Sequence, residues 1–384
     1  VLGVEVMIDY FIAGGKYTKD FILSANATIL LIISFPEIFT IIDQFPLQNI
    51  PVITSSIYTM TLKILFIILG SFISGMIRYK SVHNVPFVIG SSVDTLKILK
   101  ANMGWRYRKV NIDKFDSLLG TKTALTEDNL YLVRIPNENP YKKVYDLINQ
   151  TWYKLKILQE YLFGTENTVM HIYIDNETPI PVSFALGLFL GKSHQKYIVW
   201  DFSKKKMKKV WQSRPSPSQY KEKIEFFAIV HHFQTNQTTT VDIEDLPDLV
   251  KEFGIKYPVI FINITESLAR KDFNIKQTCP NADAWIEIKS SKSDQWLPSK
   301  DVKEISSAAF IKISTIFEQI LETTKSTLYL ALKVPHPVSI ALAQRLYHFG
   351  NLIVLLWTGS EHHPYYIAYT VEKLLNSVPC LTPN

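Results

Sequence analysis

Two apolar stretches dominate the hydrophobic pattern at the start of the chain. Phe21 to Ile42 runs twenty-two residues with one charge, Glu37, and one proline, Pro36, while Ser56 to Ile77 is equally long and carries Lys63 as its only charge. As a helix, either stretch would extend roughly 33 Å, enough to cross a bilayer core. The pattern predicts a two-helix transmembrane hairpin over 20–80. Lys16 and Lys19 precede it, Arg78 and Lys80 follow it, and the connection from Asp43 to Ser55 has no Lys or Arg. Positive flanks stay on the cytoplasmic side, so both ends are expected there. A lone Glu or Lys deep in lipid costs about 2.5 to 3.5 kcal/mol, so Glu37 and Lys63 are expected to meet each other, another subunit or water. A buried helix pair in a soluble protein is the alternative.

From about residue 150 the pattern changes. Short apolar runs rich in β-branched and aromatic residues alternate with longer helical stretches, the mark of an α/β fold. Strands are expected at Val169–Ile174, Tyr197–Asp201, Ile224–Val230, Val259–Ile264, Ala284–Lys289, Thr327–Leu332 and Leu352–Trp357. Helices are expected at Pro181–Leu190, Ile243–Phe253, Val302–Thr323, Pro337–Phe349 and Tyr365–Asn376. The Arg214–Ser218 stretch, Pro-rich, reads as a turn between two halves. The expected organisation is an N-terminal arm (1–19), the hairpin (20–80), a juxtamembrane linker (81–140) and a soluble domain (141–384). A fragment from about residue 140 onward should then be soluble. In the linker, Lys97, Lys100 and Trp105 to Lys109 form a basic-aromatic patch suited to anionic headgroups, although an ordinary solvated helix has the same pattern.

Composition agrees with a few spans on a soluble body. Of 384 residues, 47% are hydrophobic and 20% charged, with a mean hydropathy of +0.07. Two cysteines, Cys279 and Cys380, make no C-x-x-C pair, which points to a reducing compartment. A net charge of +6 suits anionic lipid, a nucleotide or plain solubility.

The soluble part contains a repeat. Pro181-Val182-Ser183-Phe184-Ala185-Leu186 recurs as Pro337-Val338-Ser339-Ile340-Ala341-Leu342, Leu190 matches Leu346, and the strands at Tyr197–Asp201 and Ile353–Trp357 follow at the same offset of 156. Each copy is strand, loop, proline-opened helix and strand. Proline suits the first turn because its missing N–H would be unpaired there, and the free N–H groups and helix dipole favour an anion. Ser183 and Ser339 can add hydroxyls, unless Pro-Val-Ser is simply good helix-start chemistry. Ligands of open α/β sheets bind beyond the carboxyl ends of the strands, which gathers Asn176, Thr178, Ser183, Trp200, Asp201, Pro337, Ser339, Trp357, Thr358 and Ser360 as candidate ligand residues. Loop histidines His232 and His363 could stack on a base or bond a phosphate, or be plain surface.

Duplicated strand, loop, Pro-Val-Ser-x-Ala-Leu helix and strand, with Leu356-Trp357-Thr358-Gly359-Ser360 and Tyr365-Tyr366 in the second copy, resembles a SAVED domain, a fusion of two CARF-like Rossmann units. With the hairpin, the chain is similar to the two-transmembrane SAVED effectors of bacterial CBASS anti-phage operons. The resemblance implies a cyclic oligonucleotide ligand made by a partner nucleotidyltransferase. It also implies an inner-membrane location with a cytoplasmic sensing domain, and homo-oligomerisation that disrupts the bilayer in abortive infection. No enzymatic activity, cofactor or metal is expected. Trp200 and Trp357 are the candidate base-stacking residues, and Ser183, Ser339 and Thr358 the phosphate or ribose contacts. The first copy departs from the second in having Asp201 at the position of Trp357 and a lysine run from Lys204 to Lys209.

Other chemistry is weaker. Asp283 with Glu287 and Lys289 superficially matches a nuclease metal site, but the aspartate lies on the same strand as the other two. His231-His232 and His362-His363 are adjacent pairs that point to opposite faces of a strand and so cannot chelate. No phosphate-binding glycine motif occurs. A membrane-tethered enzyme acting on nucleotides, or a sensor recruiting a separate effector, remain the rival readings.

Overall fold

The computed structural model describes residues 83–90, 92–103, 130–136, 143–162, 168–193, 196–203, 206–213, 224–265, 275–292, 297–324, 327–357 and 365–377. The expected hairpin with Glu37 and Lys63, the patch at 105–109 and the Arg214–Ser218 turn lie outside these residues. Among the described residues no helix is long and apolar enough to cross a membrane. From Asn84 onward the elements belong to one unit, Asn84–Asn384.

Its first half runs β1 (His83–Gly90), α1 (Val93–Met103), β2 (Leu132–Arg134), α2 (Val144–Leu162), β3 (Thr168–Ile174), α3 (Ile180–Lys192), β4 (Tyr197–Ser203) and β5 (Lys206–Gln212). The sheet order is β2-β1-β3-β4-β5, so the chain leaves β1 for β2 on one side and returns across it to β3. β1–β2 and β3–β4 are parallel, and β5 turns back antiparallel along β4.

The second half adds β6 (Phe226–His232), β7 (Gln237–Asp242), α4 (Leu246–Glu252), β8 (Pro258–Asn263), β9 (Ala284–Ser290), α5 (Ser299–Ala308), α6 (Ser314–Thr324), β10 (Leu328–Lys333), α7 (His336–Leu346), β11 (Leu352–Trp357), β12 (Tyr365–Thr370) and α8 (Val371–Ser377). Its order is β12-β11-β10-β8-β9-β6-β7. β8, β9, β10 and β11 are parallel to their neighbours, with β12, β6 and β7 antiparallel. From β8 the chain again steps to one side, crosses back to β10, and closes on an antiparallel hairpin. β1 to β5 therefore correspond to β8 to β12.

The repeat is thus larger than the sequence indicates. Within the expected 81–140 linker, the described residues form β1, α1 and β2, and the fully buried Phe87, Val88 and Ile89 sit between β2 and β3. Pro86 hides β1 in the sequence because proline cannot donate to a ladder. It is tolerated because β2 pairs with β1 from Val88 onward only. Tyr365–Asn376 is not one helix, since its first six residues form edge strand β12, in which Tyr365 and Tyr369 are buried and Tyr366 and Ile367 exposed. The lysine run reaches into β5, another edge strand, where lysines discourage pairing with other chains. The expected Val302–Thr323 helix is interrupted by a π-turn at Ala309–Ile313, where the Ser314 hydroxyl donates back to the Phe310 carbonyl.

The two halves join through α3 and α7. α3 is buried over every residue from Pro181 to Gly191, so it carries no polar face. A Cβ on Gly187 would lie 2.7 Å from both the Ala343 Cβ and the Ile340 carbonyl oxygen, and one on Gly191 would lie 2.5 Å from the Gln344 carbonyl oxygen. Glycine here permits backbone contact that any side chain would prevent. Ala343 is the repeat partner of Gly187, so small residues at matched positions of the two helices meet.

Three outcomes test this arrangement. Gly187→Ala should lower the urea-derived unfolding free energy by about 1–3 kcal/mol through overpacking, despite the roughly 1 kcal/mol that alanine gains in helix propensity. Gly350→Ala, whose nearest contact would be an ordinary 3.4 Å, should stay within about 0.5 kcal/mol. A fragment starting at residue 84 should fold, whereas one starting at 141, lacking β1 and β2, should bind a hydrophobic dye and aggregate.

Candidate functional site

In each sheet the chain reverses direction at the carboxyl ends of two neighbouring strands, where doubly wound folds usually have their ligand crevice. One reversal lies between β1 and β3, where the Asp175 N–H donates to the Ile89 carbonyl at 2.8 Å. The other lies between β8 and β10, where the Ile264 N–H donates to the Lys333 carbonyl at 3.1 Å. α3 and α7 start directly after β3 and β10. Pro179 and Pro335 hold the N-cap positions, neither helix has a side-chain cap, and prolines follow in the first turn.

His336 joins the two rims. Its Nδ1 lies 3.1 Å from the Ser183 Oγ, and its ring also bonds the backbone of Asp175. One imidazole at the start of α7 thereby grips the loop and the helix start of the other half. Burial pushes its pKa down to about 4, against a smaller upward pull from the Asp175 backbone. The position of His336 in the first copy is held by Ile180, so the link has no counterpart. Ser183 is fully buried, with its hydroxyl 2.8 Å from the Ile180 carbonyl. Ser339 is equally buried, but its Oγ has no partner. Both serines therefore lie at the helix contact, beneath the rim. Pro337 is buried with them. Asn176 is exposed at the rim, and Thr178, 3% exposed, has an unpartnered Oγ1.

Trp200 is not at a strand end as expected, because β4 continues to Ser203. Its ring is buried, its indole N–H donates to the His171 Nδ1 at 3.1 Å, and the Lys209 ammonium sits 5.4 Å from its centroid. Since the indole can only donate, neutral His171 carries its proton on Nε2 and donates it to the Asn84 Oδ1 at 2.8 Å. Asp201 accepts a 2.7 Å hydrogen bond from Ser299 at the start of α5. Tyr173 lies close by, its hydroxyl pushed up to about 12 by burial and then by Asp175 and Asp201.

The remaining candidates separate. His232 pairs with Ala284 at the amino end of β9, opposite the rim, and its Nδ1 contacts the Thr235 hydroxyl at 2.9 Å. It does not join the site. Trp357 ends β11, while Thr358, Ser360 and His363 lie outside the described residues. Asp283 accepts the backbone N–H groups of Lys256 and Tyr257, a loop-fastening role. Among the described residues no cluster of three or more His, Cys, Asp or Glu is placed to hold a metal.

Sequence reasoning missed His336 and a buried polar group at the second crevice. There the Asn263 Nδ2 donates to the Glu287 Oε1 at 2.7 Å, with the Lys289 ammonium 4.0 Å from the same oxygen. His336 could have been noticed as the one ionisable side chain in a matched helix start. Asn263 gives no such signal, because the topology alone brings β8 beside β9.

The buried His336 sets a pH dependence. Its folded pKa lies below the ordinary 6.5, so the unfolded state binds more protons between that value and about 4. Its contribution is complete above about pH 6.5 and is lost as pH falls toward 4, on the order of 3 kcal/mol. His336→Gln should lack that component when unfolding free energy is measured across this window.

No family model and no curated protein matches the sequence. Solved structures do. The chain is similar to the Acinetobacter baumannii Cap4 SAVED/CARF-domain containing receptor with the cyclic trinucleotide 2'3'3'-cAAA, at 13% identity and a TM-score of 0.44, over 84% of this chain and 63% of that one. The same receptor with 3'3'3'-cAAA matches at 12% identity and a TM-score of 0.41, over 84% and 63%. The Moraxella osloensis Cap4 SAVED/CARF-domain containing receptor matches at 12% and 0.39, over 84% and 61%. The chain thus spans less than two thirds of the length of each.

Proposed function

We propose that this chain is a non-enzymatic effector of bacterial anti-phage defence, which binds a cyclic oligonucleotide across the rim shared by its two halves. One observation carries the reading. Two matched crevices, each beside the start of an uncapped helix, are held at one rim by the α3–α7 contact and by His336. Helix starts favour phosphates, and a ring of repeated nucleotides offers repeated phosphates and bases to repeated sites. The hairpin read from the sequence would tether this domain to the inner membrane on its cytoplasmic side. Ligand that prefers one angle between the halves selects the geometry in which chains assemble. Heterologous contacts between chains then give rings or open filaments. A single hairpin with one Glu and one Lys cannot line a pore, so bilayer damage requires many copies. The signal would come from a nucleotidyltransferase.

The full chain reconstituted in liposomes tests this. It should bind a cyclic di-, tri- or tetranucleotide at about one per chain without consuming it, and release a trapped dye only when that ligand is added. A chain lacking residues 20–80 should bind and assemble but release no dye. Trp357→Ala should weaken binding by roughly 1–3 kcal/mol. Ligand turnover would favour an enzyme, and binding without leakage a sensor that recruits another effector.

A further inference from the structure

At the carboxyl end of β8 lies a buried polar group, one atom of which, the Asn263 Oδ1, has no partner within the fold. Asn263 ends β8, Glu287 and Lys289 lie on the neighbouring β9, and all three are essentially sealed from solvent, at 0%, 1% and 3% exposure. Burying a carboxylate and an ammonium inside a sheet costs several kcal/mol per ion before their attraction is counted, and an apolar replacement is often the more stable choice. The charges here do more than pair with each other. As a carboxylate, Glu287 can only accept, so the 2.7 Å bond from Asn263 fixes which end of the amide faces it. The Asn263 Oδ1 is then turned away, and it has no hydrogen-bond partner. A buried carbonyl oxygen of fixed direction, left unpaired, is an acceptor awaiting a donor.

Its surroundings say what kind of donor. Asn263 stands at the carboxyl end of β8, at the reversal point beside β10, paired with half-exposed Lys333 and followed two residues on by half-exposed Thr265. The same face of the sheet continues inward through Phe261, Trp285 and Tyr329, a small separate aromatic core in which Ala331 takes little space. The Trp285 Nε1 is a buried donor that also lacks a partner. That donor belongs to the packed core, where the Trp285 ring lies 5.4 Å from Phe261 and 6.0 Å from Tyr365, whereas the directed Asn263 acceptor at the strand end suits a neutral N–H donor and cannot hold a phosphate. We infer that the second crevice is a base-reading subsite, in which the Asn263 Oδ1, held in direction by Glu287 and Lys289, accepts a hydrogen bond from the exocyclic amine of a nucleobase. The inference rests on the proposed rim binding of a cyclic oligonucleotide and assigns its base contact. In the first half β1 ends on Gly90 at the place of Asn263, so the two crevices are unequal and one base of the ring is read differently from the rest.

The test uses the full chain and cyclic oligonucleotides of two to four residues made from adenosine, cytidine or guanosine. Each is compared by calorimetry with the ring carrying purine riboside, 2-pyrimidinone riboside or inosine, which lack the exocyclic amine. The tightest-binding ring should lose about tenfold to a hundredfold in affinity without its amines, the range for a buried acceptor left unpaired. Asn263→Ala should bind both members of that pair equally. Glu287→Gln keeps the shape of the side chain, but its own amide can donate to Asn263, so it too should lose the discrimination while thermal unfolding shows the fold retained. Equal binding by the unaltered chain, or discrimination that survives Asn263→Ala, overturns the subsite and leaves the rim reading standing. Failure of every ring to bind overturns both.

Discussion

Backbone contact between α3 and α7 is the constraint on which the arrangement of the two halves depends. Gly187 against Ala343, and Gly191 against Gln344, let two helices of the same design approach closer than side chains would allow. Each half is a sheet flanked by helices, and each would expose an apolar helix without the other. Close-packed interiors transmit such contacts rigidly rather than elastically. The distance between the halves is therefore set by two glycines and an alanine.

Apolar contact fixes distance but leaves helices able to roll, and direction comes from hydrogen bonds that run between the halves. The Tyr197 hydroxyl bonds the Gln344 side chain at 2.6 Å, the Gln344 amide donates to the Ser213 carbonyl, and the Tyr369 hydroxyl donates to the Pro181 carbonyl at 2.8 Å. Lys192 reaches the Leu375 carbonyl, and Asp201 holds Ser299. The Tyr369–Pro181 bond is buried and the others are partly so, and for a buried group losing a partner costs more than forming the bond gains. A ligand that changed the angle would have to exchange several of these bonds together, which favours two discrete arrangements over a continuous range.

The halves are matched in topology and unequal in chemistry. His336 faces Ser183, while Ile180 leaves the Ser339 hydroxyl without a partner. Gly90 ends one crevice strand and Asn263 the other. The first half fastens its sheet with the Asn84–His171–Trp200 chain, whereas the second buries Asn263, Glu287 and Lys289. Equal scaffolds therefore carry unequal side chains at the carboxyl ends of matching strands.

Local pattern was enough to reveal the α/β class, seven of the strands, and the repeat of Pro-Val-Ser helices, because a helix buried on every side and strands buried on both faces carry continuous apolar runs. Pattern failed where a residue's local preference opposes its place: Pro86 in an interior strand, lysines in β5, and aromatic Tyr365–Thr370 leading without a break into a helix. It also could not say which strands are neighbours. That Trp200 is locked in the interior by His171, that His232 lies at the far end of the sheet, and that Asn263 meets Glu287 are consequences of strand order and register. These are set by how crossovers pack over a sheet. The sequence by itself determined which segments must be buried, since burial follows from the side chains. Only the tertiary structure decided which buried polar groups find partners, because partners are supplied by segments far away along the chain.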